Sequence, residues 1–288
     1  MALLDFILNL SALLLWLNWS YLQLSRRESR PAGISLFGTL KTTAAPVASS
    51  WPYLASCIGL LLIRALVYHT IGSNLRVNLS LPLGIFSIPF TPRLLSRMFL
   101  FSFLSFGVFT SVFYFGLVLF SMVNRAVTEP DTCLRLVRVH LGGLHRRSVW
   151  IQALVPGLIA ALFWMSISPL LESMGLFPVQ GSTGTRCLRA VLLGAYSYVT
   201  WSPPSVVVLI LYALSHHIYF GDTAFWNFVQ VTGRNLLQPV QSWRLRSRRI
   251  DWAPLVVILV LLWIAWKGSF GHLCGGAQML IQGWHSFH

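Results

Sequence analysis

The chain has 288 residues, of which 56% are apolar and 10% charged. A soluble domain carries about 25% charged residues, so a water-covered globule is excluded, and a mean hydropathy of +0.69 points to lipid as the solvent. The remaining charge is lopsided, with 21 Lys and Arg against 7 Asp and Glu, a net +14 at pH 7.

A bilayer core about 30 Å thick needs roughly 20 apolar residues per helix. Long stretches of that kind recur along the chain. Phe6 to Ser25, Met98 to Asn124, Ser148 to Leu171 and Ala190 to Gly221 hold no Asp, Glu, Lys or Arg. Trp51 to Gly72 is broken by Arg64 and His69, and Ile250 to Gly268 carries PLVVILVLLWIAW between Asp251 and Lys267. These predict six spans, at 3–24, 51–72, 97–124, 150–171, 188–216 and 252–268. The expected fold is an all-α polytopic transmembrane bundle of three helical hairpins, over 1–75, 76–175 and 176–288. The first span lacks a basic leader and a small-residue cleavage site, so it is expected to stay as a span. Pro203-Pro204 predicts a kink or a break in the fifth. Leu81 to Phe90 (LPLGIFSIPF) is too short and proline-rich to cross and is expected at the interface or partway in. The tail after Lys267 is expected to lie on the membrane surface.

The positive charge now resolves into loops. Arg26, Arg27, Arg30 and Lys41 follow the first span. Arg125, Arg135, Arg138, Arg146 and Arg147 follow the third, and Arg234, Arg244, Arg246, Arg248 and Arg249 follow the fifth. Fourteen of the 21 cations therefore fall in alternate loops. The positive-inside rule puts those loops in the cytoplasm and both termini outside. Juxtamembrane arginines also bind anionic lipid headgroups, at about 1 kcal/mol each. Topology and lipid contact, not nucleic acid, are the expected roles of Arg135, Arg138, Arg146, Arg147, Arg244, Arg246, Arg248 and Arg249.

A span, a basic loop with an internal proline, a tryptophan and another span follow in that order three times. A cation precedes the loop proline by five positions at Lys41/Pro46, Arg125/Pro130 and Arg234/Pro239, and Trp51, Trp150 and Trp252 introduce the next spans. Such repetition suggests a three-hairpin bundle.

In these motifs the sequence resembles the YggT family of small bacterial and plastid membrane proteins. The third hairpin carries FWNFVQVTGRNLLQPVQSW and then RRIDWAPLVVILVLLW, with Asp251 and Pro254 where the family has its Asp and Pro. The second carries VNRAVTEPD, with Arg125, Glu129 and Pro130, and lacks the Asp-x-x-Pro opening. Arg234 and Pro239 complete the motif in the third. The resemblance covers about a third of the chain. It implies a non-enzymatic membrane protein of the kind linked to osmotic tolerance, cell division and nucleoid distribution, or, in plastids, to cofactor assembly for a photosynthetic cytochrome complex.

Arg64 stands out among the polar residues. It lies 13 positions, or ~20 Å, into the second span, and a charge at depth is a functional flag. Two arrangements are open: an ion pair with Asp5 that locks the first hairpin, or snorkelling to the outer headgroups. None of the seven acids is near mid-span, which argues against proton-coupled transport. Glu129 and Asp131 read as a helix end, not a cation site. His216 and His217 point about 100° apart on a helix and do not share a metal. No zinc, nucleotide or nucleophile motif is present. Cys187 and Cys274 both fall outside, where an oxidising compartment permits a disulfide. The expected function is structural or accessory, in a larger membrane complex with other membrane proteins and anionic lipids. No metal or cofactor is expected, although lipid or pigment could bind. Two alternatives stay open, a channel or carrier in osmotic response and an assembly factor for a cofactor-bearing partner.

Overall fold

A computed structural model describes residues 2–28, 49–75, 79–83, 86–92, 94–127, 132–177, 182–216, 218, 221, 223–241 and 253–269. Among them the fold is all-α apart from one pair of short strands. The helices are α1 (Ala2–Glu28), α2 (Trp51–Leu75), α3 (Leu95–Val123), α4 (Thr132–Leu141), α5 (Val149–Ser173), α6 (Thr183–Tyr196), α7 (Ser202–Ser215), α8 (Ala224–Gln241) and α9 (Ala253–Ser269). Five stretches are long and apolar enough to cross a membrane: Leu3–Gln23, Trp51–Gly72, Leu95–Val123, Val149–Ser173 and Thr183–Ser215. They match the first five expected spans. The sixth is a helix at the expected place, but its 17 residues reach only about 25 Å.

The chain divides into two compact units, one of residues 1–79 and 90–110 and the other of 80–89 and 111–288. This division differs from three successive hairpins, because the cut falls inside α3.

In the first unit α1 packs along α2. Ala12, Cys57 and Leu61 form the buried seam, with Leu15, Trp16, Leu60 and Phe106 around it. The small side chain of Ala12 lets the Cys57 thiol reach its carbonyl at 3.5 Å. Gln23 Nε2 donates to Ser50 Oγ at 2.9 Å, tying the end of α1 to the start of α2. From α3, Ser102 Oγ donates to Leu61 O at 2.8 Å. A serine hydroxyl satisfied by a neighbouring helix is a favourable way to place a polar group in a span.

The segment expected at the interface is a hairpin of β1 (Leu79–Leu83) and β2 (Phe86–Phe90). Leu79, Leu81 and Leu83 are buried and Ser80 and Pro82 exposed, while in β2 Ile88 and Phe90 are buried and Ser87 and Pro89 exposed. That is the period of two a strand requires. Two strand prolines hide it, since proline inside a run argues against a strand.

In the second unit α5 packs chiefly on α6, and α7 on α8 and α9. The α5–α6 approach is close because glycines line it. A Cβ on Gly194 would stand 2.7 Å from Gly157 O. Tyr198 Oη donates to Ala153 O at 2.8 Å, spanning the same seam.

The fifth span neither breaks into separate pieces nor continues as one α-helix. α6 passes into a 3₁₀ turn over Ser197–Trp201, and α7 restarts at Ser202 with Pro203-Pro204 in its first turn. There a missing N–H leaves nothing unpaired in the new helix. The hydroxyls of Ser202 and Ser205 donate to Val199 O and Trp201 O, both at 2.8 Å.

Candidate functional site

The first three helices bring together a buried polar network. Asp5 and Asn9 are four residues apart on α1, and Arg64 and Tyr68 four apart on α2, so each pair shares a helix face. Ser105 comes from α3. Arg64 is 1% exposed. Its Nη2 donates to Asp5 Oδ1 at 2.7 Å and to Ser105 Oγ at 2.9 Å, and its Nη1 donates to Asn9 Oδ1 at 2.6 Å. Tyr68 Oη donates to the same Asp5 oxygen at 2.5 Å, and Asn9 Nδ2 donates to Ser105 Oγ at 3.0 Å. The guanidinium carbon lies 5.4 Å from the Tyr68 ring centre and 5.6 Å from that of Phe101, both within cation–π range.

The geometry selects the ion pair over snorkelling. Arg64 turns onto Asp5, whose side chain is 25% exposed, and the charge is neutralised within the helix bundle. Chemically the site is a latch. One guanidinium holds acceptors on two other helices, and one carboxylate oxygen takes two donors from α2. Asn9 and Tyr68 are not among the residues singled out from sequence, although the four-residue spacing from Asp5 and Arg64 signals both. Ser105 carries no such signal.

A second polar joint closes the second unit. Asn124 Nδ2 donates to Thr232 Oγ1 at 2.8 Å and to Phe120 O at 3.0 Å, and Asn235 Nδ2 donates to Asn124 Oδ1 at 3.0 Å. Asn124 is 1% and Thr232 0% exposed. The asparagines adjoin Arg125 and Arg234, the cations of two repeat motifs. The motif arginines are exposed and their neighbours make the contact.

The remaining candidates separate by position. Arg135, Arg146 and Arg147 are exposed, suited to an anionic surface. Arg138 instead donates from Nη2 to Val127 O at 2.7 Å. Buried Gln152 donates to Leu144 O and His145 O at 2.9 Å each, fixing the turn that presents Arg146 and Arg147. Pro239 lies inside α8 and Pro254 is buried in the first turn of α9. Cys187 is exposed on α6. Glu129, Pro130, Arg244, Arg246, Arg248, Arg249, Asp251 and Cys274 lie outside the described residues. At the α5–α6 connection Arg186 Nη2 meets Glu172 Oε2 at 2.6 Å, and the Arg189 guanidinium stacks 5.1 Å from the Phe177 ring centre. Among the described residues no group of three His, Cys, Asp or Glu side chains could hold a metal ion.

No family model, no curated protein and no solved structure matches the chain.

Proposed function

We propose that this chain is a YggT-like integral membrane protein acting as a non-enzymatic structural or accessory subunit of a larger membrane complex. The observation that carries the reading is the Asp5–Arg64 contact. The intramembrane arginine, the residue best suited to bind a substrate or gate a path, is engaged with α1 and α3. A charge held this way makes a rigid scaffold. The Asn124–Thr232–Asn235 joint gives the second unit the same character. Exposed apolar side chains on the spans, among them Leu154, Leu158 and Leu162 on α5, offer surface to lipid and to neighbouring membrane proteins.

In this reading the protein sits in a bacterial inner membrane, with the loops after the first, third and fifth spans in the cytoplasm and the N-terminus outside. That assignment does not depend on α9, because all three basic loops precede it. Only the side of the C-terminus does, and a crossing α9 places it outside. Anionic lipids bind the exposed arginines, and no resident cofactor is required.

The test is purification of the full chain from its membrane in a mild detergent. The expected result is stoichiometric recovery of one or more membrane proteins with it. A lone monomer or homo-oligomer that conducts solute across liposomes would contradict the proposal.

A further inference from the structure

Where the fifth span ends, the last turn of α7 and the middle of α8 form an open groove of about 400 Å³, lined by Tyr212, Ser215, His216, Gln230, Val231 and Arg234. Its base is fixed. Tyr212 lies so close over Gly233 that an added Cβ would stand 2.5 Å from the ring's Cγ. α8 buries Phe228, Val229, Thr232 and Leu237 and exposes Asn227, Gln230, Arg234 and Gln238. Arg234 and Gln230 are thus one turn apart on its polar stripe.

The groove's chemistry is specific. Arg234 supplies a full positive charge with forked donors, the geometry suited to a phosphate. Gln230 adds an amide. Ser215 Oγ donates to Tyr212 O at 2.7 Å, so its oxygen remains an acceptor. His216 Nδ1 lies 3.1 Å from the same carbonyl oxygen, which assigns it the proton and leaves Nε2 as an acceptor when the ring is neutral. The His216 and Tyr212 rings meet edge to face at 4.6 Å, forming an aromatic wall. One cation beside several acceptors fits a singly charged anion that carries hydroxyl donors. The groove also lies at the end of a 33-residue apolar stretch, Thr183–Ser215, which at about 50 Å is long enough to carry that end out of a ~30 Å hydrocarbon core.

We propose that this groove binds a phosphodiester monoanion with a hydroxylated head, its phosphate on Arg234 and Gln230 Nε2 and its hydroxyls on Ser215 Oγ and His216 Nε2. Phosphatidylglycerol presents this chemistry from the bilayer, and glycerophosphoglycerol presents it from water. The proposal goes beyond the accessory role and stands independently of any protein partner.

Native mass spectrometry of the full chain in neutral detergent tests it, with titrations of phosphatidylglycerol, phosphatidylmethanol, phosphatidylcholine and glycerophosphoglycerol. One phosphatidylglycerol is expected to bind at least tenfold more tightly than phosphatidylcholine and several-fold more tightly than phosphatidylmethanol, which has the same charge and no head hydroxyl. Arg234→Gln is expected to weaken it about tenfold, as befits a hydrogen bond to a charged group. Should Arg234→Gln fail to fold, Ser215→Ala serves, and it is expected to reduce the preference over phosphatidylmethanol severalfold, with His216 Nε2 left as the remaining acceptor. Equal binding of glycerophosphoglycerol keeps the site and assigns it a soluble ligand. Unchanged binding by Arg234→Gln, or equal binding of phosphatidylglycerol and phosphatidylmethanol by the parent, would overturn the proposal. Recovery of protein partners with Arg234→Gln should be unaffected, so failure here is distinguishable from failure of the accessory role.

Discussion

Asn235 on α8 donates to Asn124 at the end of α3 at 3.0 Å, and these two asparagines each adjoin the arginine of a separate repeat motif. The repeated motif thus does two jobs with neighbouring residues. Arg125 and Arg234 face outward, and the asparagines beside them join two helices more than 100 positions apart in sequence.

Replacing Asn124 by Ala removes one donor group and one acceptor at once, and strands Asn235 Nδ2 and Thr232 Oγ1. Leaving a buried polar group unpaired costs about 1–3 kcal/mol. Thermal unfolding in detergent should show a clear loss for Asn124→Ala. Adding Thr232→Val should produce much less than a second loss, since Thr232 has already lost its partner. Full additivity of the two changes would mean the joint does not exist.

Gly194 is the position where α5 and α6 touch backbone to backbone. A Cβ there meets Gly157 O at 2.7 Å, and overpacking typically costs about 1–3 kcal/mol. Gly194→Leu is expected to lower the unfolding temperature by several degrees. An added Cβ at Gly59 meets nothing within 4 Å, so Gly59→Leu serves as the control, with an expected change near zero.

Cysteine labelling reports sidedness. Cys187 is exposed at the start of α6, Cys133 lies in the loop after the third span, and Cys57 is buried. After treatment of intact cells with a membrane-impermeant reductant, an impermeant maleimide should modify Cys187. Cys133 should react only after permeabilisation, and Cys57 only on denaturation. Modification of Cys133 in intact cells with Cys187 protected would reverse the topology.

Much of the helical framework was legible because lipid imposes a crude filter. A run of about 20 apolar residues matches the thickness of a bilayer core, and α1, α2, α3 and α5 end within a few residues of their apolar stretches. The short elements were less legible. α4 buries Leu134 and Val137, three positions apart, and α8 buries Phe228, Val229, Thr232 and Leu237. Both stripes have helical spacing, but they lie in loops whose arginines are the stronger signal. Pro82 and Pro89 mask the strand alternation of the hairpin. The site was half legible. Asp5 was the nearby acid on the same side as Arg64, and Asn9 and Tyr68 follow by helical spacing. Ser105 depends on how α3 is rotated against α1 and α2, which local sequence does not set.

The scaffold reading stands on the Asp5–Arg64 latch, and a double-mutant cycle measures it directly. Removing one partner of a buried pair typically costs about 3–5 kcal/mol because the other charge is left unpaired, a penalty that ends when both charges are gone. Thermal and denaturant unfolding of the full chain in detergent would be compared for the parent, Asp5→Asn, Arg64→Leu and the double variant. The account predicts marked destabilisation by Asp5→Asn and recovery of most of that loss in the double variant, a strong coupling between the two positions. Unchanged stability in Asp5→Asn, together with a gain in Arg64→Leu, would contradict it.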